Sequence, residues 1–224
     1  MSQGTDNSNT PNLWDKRLFE TDKELLGSPF YLDKISRIGK FLKNKKGKFL
    51  DVGLGMANLE RWLLDRESQL KIYGVDFSPK AVLYAKKKLA GKFVVAKSQK
   101  LPFKKSYFDF AAMLDVLEHI PRGESKKALG EINRVLKKGG EFVVSVPLNE
   151  DLETMNRNRT NFNRHLRQYT VRILVRELQL AGFKVLKRDF IYAFRNFYFL
   201  KNLITKIFPN FRKPNLLILY VQKK

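Results

Sequence analysis

The stretch Phe49-Leu50-Asp51-Val52-Gly53-Leu54-Gly55-Met56-Ala57 reads as an apolar strand that ends in an acidic residue and a glycine-rich turn before a helix. Glycine removes the side-chain obstruction and adopts positive φ without strain, so such a turn lets backbone approach a ligand closely. Two glycines alone also fit an ordinary tight strand-to-helix turn. A dinucleotide site asks for G-x-G-x-x-G, whereas Met56-Ala57-Asn58 follows here and the third glycine is missing. Ala57 is still small enough for close helix packing. The Asp51 carboxylate, placed ahead of the turn, suits a positively charged amino group and gains nothing beside a pyrophosphate. Both features point away from a nicotinamide cofactor.

Outward from this turn, Tyr73-Gly74-Val75-Asp76-Phe77-Ser78-Pro79 puts a second acidic residue at the carboxyl end of the next strand, 23 residues after Gly53. In doubly wound sheets that position reaches a ribose, and a carboxylate accepts hydrogen bonds from both hydroxyls. An exposed strand-end aspartate is the plainer alternative. Phe77 is placed to cover one face of an adenine. Strands are expected at Lys48 to Val52, Lys71 to Val75, Phe93 to Ala96, Phe108 to Leu114 and Glu141 to Val146, with amphipathic stretches between them. That alternation is the pattern of a parallel sheet covered by helices on both faces. Ser78-Pro79 starts a helix that runs toward Leu89 and stops at Gly91. Glu124 to Leu136 is a second, stopping at Gly139-Gly140.

Beyond Pro147 a polar run, Asn149 to Asn163, leads into a helix from Val171 to Leu180 that Gly182 ends. Phe183 to Ile191 and Leu216 to Val221 are two further strands, and an aromatic and basic insert, Tyr192 to Asn215, lies between them. Ahead of the core, Tyr31, Ile35, Ile38, Phe41 and Leu42 give Phe30 to Leu42 the spacing of an amphipathic helix that covers a sheet edge or a cofactor mouth. The expected organisation is a disordered tail over 1–14, a helical cap over 15–47, an alternating α/β core over 48–147, and the remainder of the same domain over 148–224.

With 224 residues, 43% of them hydrophobic, the chain buries one substantial core. It has no cysteine, which excludes disulfides, thiolate metal sites and cysteine nucleophiles and makes a cytoplasmic setting the default. The first twelve residues lack a secretory pattern, and no apolar run approaches the ~20 residues of a spanning helix. The formal charge of +22 attracts nucleic acid, anionic lipid or another polyanion without choosing among them. Arg157 to Lys224 alone holds sixteen Lys and Arg against Glu177 and Asp189. Solvated basic faces are the bland account of the same excess.

The blocks LDVGLGMA, YGVDFSPKAVLYAKKKL, LPF, FDFAAMLDVLEHI and INRVLKKGGEFVVSVP, in that order from Phe49 to Pro147, resemble the small-molecule class I methyltransferases of the type 11 kind. HLRQYT and LVRELQLAGF, from His165 to Phe183, resemble that family's late helix and sixth strand. The resemblance implies a three-layer Rossmann-like fold with a seven-stranded, mostly parallel sheet in the order 3-2-1-4-5-7-6, and S-adenosylmethionine as cofactor. It also implies that Asp51 holds the methionine end, Gly53 and Gly55 let backbone pass it, Asp76 binds the ribose, and Leu114 and Asp115 border the methionine moiety and the acceptor mouth. Such enzymes often place an acidic residue near the adenine amino group; that position is Lys97 here, followed by Ser98 and Gln99. Lysine cannot accept a hydrogen bond from an amine, so the adenine falls to backbone, Ser98, Gln99 or stacking. A noncatalytic protein that keeps the fold is the alternative this departure raises.

Methyl transfer from a sulfonium needs mainly alignment and exclusion of water, and only an acceptor with a hard proton needs a base. His119, next to Glu118, and His165 are the candidates, since histidine titrates near neutrality. A polar pair capping the strand-to-helix junction is the structural alternative for Glu118 and His119. No resident metal is expected. The fourth strand ends LDVLEH, without the Asn-Pro-Pro-Tyr block of enzymes that methylate exocyclic or amide nitrogens, so an oxygen on a small, lipid-like or sugar acceptor leads. The insert fits three roles: a membrane-interface segment, a packed acceptor lid, or an RNA contact.

Overall fold

The computed structural model describes residues 10–15, 25–150, 165–194, 196–208 and 212–224. Helix α1 (Pro29–Leu42) precedes β1 (Gly47–Val52), α2 (Asn58–Leu64), β2 (Leu70–Asp76), α3 (Pro79–Lys88), β3 (Lys92–Val95) and β4 (Phe108–Leu114). After β4 come α4 (Ser125–Val135), β5 (Leu136–Pro147), α5 (Val171–Leu180), β6 (Phe183–Ile191), α6 (Tyr198–Ile207) and β7 (Leu216–Lys223). The strands form one seven-stranded sheet in the order β3-β2-β1-β4-β5-β7-β6. The first five run parallel, and β7 pairs antiparallel with both β5 and β6. This is the expected sheet.

Alternation along each strand sends side chains to two cores. Leu50, Val52, Val75, Met113, Phe142, Val144 and Leu219 pack on one side with Leu129 and Ile132 of α4 and Leu174 and Leu178 of α5. Phe49, Ile72, Ala112, Val143 and Ile218 pack on the other with α1, α2 and α3. Central strands buried on both faces explain why β1, β2 and β7 read as nearly continuous apolar runs. Helix α1 enters through Ser28, whose hydroxyl accepts from Tyr31 N, and Pro29; Ile35, Ile38 and Leu42 are its buried stripe. Each such side chain contributes about 1.5–3 kcal/mol of burial.

The structure corrects the sequence reading in three places. Helix α4 ends at Val135 and β5 begins at once, so Gly139 and Gly140 lie within the strand and do not stop the helix. The cause is an irregularity against β4: Phe108 pairs with Leu136 and Phe110 with Glu141, and Gly139, at φ +73, supplies the bend. The insert contains helix α6. Within the expected tail, residues 11–15 are helical and packed, with Trp14 against His119 and Asp15 accepting from the Ser78 hydroxyl.

Candidate active site

The carboxyl ends of β1, β2 and β4 adjoin, which brings Asp51, Asp76 and Asp115 together where doubly wound sheets bind ligands. The turn after β1 has left-handed residues at Gly53, Gly55 and Ala57. A Cβ on Gly53 would stand 2.3 Å from the Val116 side chain, so the turn lies hard against the segment after β4. A Cβ on Gly55 would meet nothing within 4 Å: backbone here borders open space between the two acidic strand ends. Asp76 Oδ2 accepts from Gly55 N at 3.0 Å and Oδ1 from Ser78 N at 2.8 Å, so one carboxylate fixes both turns. Burial holds the Asp76 carboxyl above its ordinary value, and these amides partly offset the rise. Ser78 caps α3 by accepting from Ala81 N, and Phe77 is half-buried beside it.

Asp51 is 3% exposed, and its Oδ1 has no hydrogen-bond partner among the described residues. Burial pushes its pKa up to about 6, and the neighbouring Glu60 carboxyl works the other way. Glu60 of α2 is fully buried beside it, and burial and the Asp51 charge hold its carboxyl well above the usual range. An orphaned buried carboxylate next to an open glycine turn fits the amino group of a bound methionine moiety.

Lys97 is exposed, and Ser98 Oγ donates to Gln99 Oε1 at 3.1 Å. Gln99 Nε2 donates to Glu124 at 2.7 Å. The Gln99 amide thus ties its loop to the start of α4, and backbone at Ala96, whose N donates to Asp76 O at 2.9 Å, stands nearer the second strand end.

On the acceptor side, Asp115 has φ +54 and follows the half-buried Leu114. Its carboxylate accepts from Ser145 Oγ at 2.5 Å and pairs with Lys34, which α1 delivers to the strand end. Burial opposes charge on both, and the pairing outweighs it: Lys34 is held above the ordinary lysine value and Asp115 below the carboxylate range. The Tyr31 hydroxyl, also from α1, accepts from Asn58 at 2.9 Å. Glu118 and His119 lie in a single 3₁₀ turn, Leu117–His119. Glu118 O accepts from Leu166 N at 2.8 Å and Arg167 N at 3.2 Å, which sets His165 against His119 with ring centroids 4.7 Å apart. Glu150 Oε2 lies 2.6 Å from His165 Nδ1. Glu118 is 1% exposed, and burial, then the nearby Asp115, raises its carboxyl well above the usual range.

The structure thus brings together Asp51, Gly53, Gly55, Asp76, Phe77, Leu114, Asp115, His119 and His165. Most of the polar run expected from Asn149 to Asn163 lies outside the described residues. Sequence reasoning missed Lys34, Glu60 and Glu150. Lys34 falls on the apolar stripe of α1 between Tyr31 and Ile38, and Glu60 sits beside Leu59 among the buried positions of α2. A charged residue on a buried helical face was the available signal. An open concavity lined by Val171, Arg172, Val175, Arg176, Gln179 and Arg188 contains none of the site residues.

Sheet order, glycine turn and paired acidic strand ends define the class: a Rossmann-like methyltransferase domain. The chain belongs to the methyltransferase domain family, whose pattern matches residues 24–188. It is 35% identical over 102 residues to the sterol 4-C-methyltransferase of Caenorhabditis elegans, covering 42% of this chain and 29% of that protein. It is 31% identical over 108 residues to a demethylmenaquinone methyltransferase of Thermus thermophilus, covering 46% of this chain and 48% of that one. The phosphoethanolamine N-methyltransferase 2 of Haemonchus contortus, solved with phosphomonomethylethanolamine and S-adenosylhomocysteine, shares the fold with TM-score 0.71 and 17% identity, over 93% of this chain and 57% of that one. The chain spans 29% to 65% of the length of the curated relatives it matches.

Proposed function

We propose that this protein transfers the methyl group of S-adenosylmethionine to an oxygen of a small, lipid-like acceptor that it meets at an anionic membrane surface. Bound S-adenosylmethionine supplies a methyl on a sulfonium that leaves as a neutral thioether. The chain's own part is alignment: Asp51 takes the amino group, Asp76 the ribose hydroxyls, and the turn through Gly55 the close approach. Phe77 stacks on the adenine. Leu114, Val116 and Trp14 keep water from the methyl, and His119 and His165 act on the acceptor oxygen. The observation that carries this reading is the pairing of an orphaned Asp51 Oδ1 with open space at Gly55, in a turn that Gly53 seats on Val116, three residues ahead of His119. The relatives' names span carbon and nitrogen acceptors, so the choice of oxygen rests on these histidines and on the sequence after β4.

The membrane part rests on α6. Phe197, Phe199, Leu200, Leu203, Ile207 and Phe208 are exposed, while Tyr198, Asn202 and Thr205 face inward. Arg212 and Lys213, both exposed, follow the helix, and the whole chain carries +22. An apolar face among basic residues suits an interface of anionic lipid. The Tyr198 hydroxyl donates to Asp33 at 2.8 Å, which ties this face to α1 and so to Lys34 at the acceptor mouth. Among the described residues no helix is long and apolar enough to cross a membrane. Relatives named for a sterol and for demethylmenaquinone support an apolar acceptor.

The test combines labelled methyl transfer to hydroxylated lipid acceptors with sedimentation on phosphatidylcholine vesicles containing or lacking phosphatidylglycerol. Transfer to oxygen, and binding to anionic vesicles that Phe199→Asp with Leu203→Asp abolishes, are expected. RNA binding with steep salt dependence and no vesicle binding would replace the lipid acceptor by RNA. Failure of the folded protein to bind cofactor would leave an interaction protein that keeps the fold.

A further inference from the structure

Glu118, His119 and His165 form a set that cofactor binding leaves unused. One donor atom from each lies within 4.8 Å of the others. A cation bound at about 2.0–2.2 Å spaces its donors about 3–4 Å apart, so small side-chain rotations close the set. Glu118 adds an independent sign, because it is 1% exposed and neither carboxyl oxygen has a hydrogen-bond partner among the described residues. A buried carboxyl without a partner is costly, and a cation is the partner its position offers. Glu150 adds another. Its Oε2, 2.6 Å from His165 Nδ1, accepts the proton of that nitrogen and leaves the Nε2 lone pair unused by this contact. That is how carboxylates behind metal-bound histidines orient the ring and raise its basicity. The backbone of Glu118 accepts from Leu166 and Arg167, so the two histidine-bearing segments are pinned together by main chain.

We propose that Glu118, His119 and His165 bind one divalent transition-metal cation on the acceptor side of the site. Two imidazoles and one carboxylate favour Mn²⁺, Fe²⁺ or Zn²⁺ over Mg²⁺ and Ca²⁺, which prefer all-oxygen donors. Three protein ligands leave open positions, and a cation there lowers the pKa of a hydroxyl it holds. This consequence rests on the acceptor reading above and states how the two histidines act; the binding itself does not depend on it.

The experiment uses the full chain after chelator treatment, titrated with MnCl₂ by electron paramagnetic resonance and with ZnCl₂ by calorimetry. S-Adenosylhomocysteine is titrated into the same samples. One ion per chain is expected. Glu150→Gln weakens it by about 10–100-fold, as loss of a carboxylate behind a ligand does. His119→Gln with His165→Gln abolishes saturable binding, while affinity for S-adenosylhomocysteine stays within about twofold, since none of these residues meets the cofactor. Should the double variant fail to fold by circular dichroism, His165→Gln alone carries the comparison. No saturable ion in folded protein, or an ion that survives loss of both histidines, overturns the proposal. Ion binding without S-adenosylhomocysteine binding sinks the methyltransferase reading and leaves the cation site standing.

Discussion

Between Asp51 and Ser78 the site is made of strand ends and turn amides close together in sequence, whereas the acceptor side is assembled from side chains that arrive from α1, the turn after β4 and residues 150 and 165. The first half is held by main chain: Asp76 grips Gly55 N and Ser78 N, and Gly53 seats the turn on Val116. The second is held by ion pairs and ring contacts, Lys34 with Asp115, Glu150 with His165, and His165 with His119. A backbone cradle can stay constant while acceptors change, because its geometry needs few particular side chains. A side-chain assembly changes with each substitution.

If that division is right, the largest loss follows Asp76→Ala. It removes the carboxylate proposed for the ribose and frees both turns, and charge-assisted hydrogen bonds at about 1.5–3 kcal/mol each predict at least about a hundredfold weaker binding of S-adenosylhomocysteine. Calorimetry reads it, and a loss under tenfold would break the comparison at its centre. Next, Lys34→Met leaves Asp115 without its cation. The cost is about 3 kcal/mol in chemical denaturation, at the low end for a broken buried pair because Asp115 is 32% exposed.

A smaller effect concerns pH. Asp51 binds an ammonium only when ionised, and its pKa stands at about 6. Affinity for S-adenosylhomocysteine is therefore full above about pH 7 and falls as pH drops through 6, by about tenfold at pH 5. Glu60→Leu removes the neighbouring carboxyl that lowers the Asp51 pKa, so the fall moves to higher pH. A profile flat from pH 5 to 8 would remove Asp51 from the amino-group site. The smallest expected change is Ser78→Ala, which deletes the cap of α3 and costs about 1 kcal/mol, measured as a shift in denaturation midpoint.

The same division decided what could be read from the chain. Strands β4 and β6 and helix α5 keep the ranges their patterns predict, because an uninterrupted pattern between clear breakers fixes them locally. Asp51, Gly53, Gly55 and Asp76 were legible for the same reason. The start of β5 was not: Gly139 and Gly140 look like a helix stop, yet their use is set by the irregular pairing with β4. Lys34, Glu60 and Glu150 escaped because their roles depend on partners 81, 9 and 15 residues away, which only packing identifies. His165 was singled out as a residue, but its place beside His119 comes from two main-chain hydrogen bonds to Glu118.

The position of β7 has a consequence for how the molecule is made. Of the seven strands, Leu216–Lys223 is the last in chain order, yet it lies between β5 and β6 and pairs with both. Until those eight residues emerge, two strands translated earlier expose unpaired edges, and Phe142, Val144 and Phe183 lack part of their cover. Folding of this half therefore waits on the synthesis of β7. A nascent chain that stalls short of residue 216 presents open sheet edges to its neighbours, with aggregation or chaperone capture as its fate.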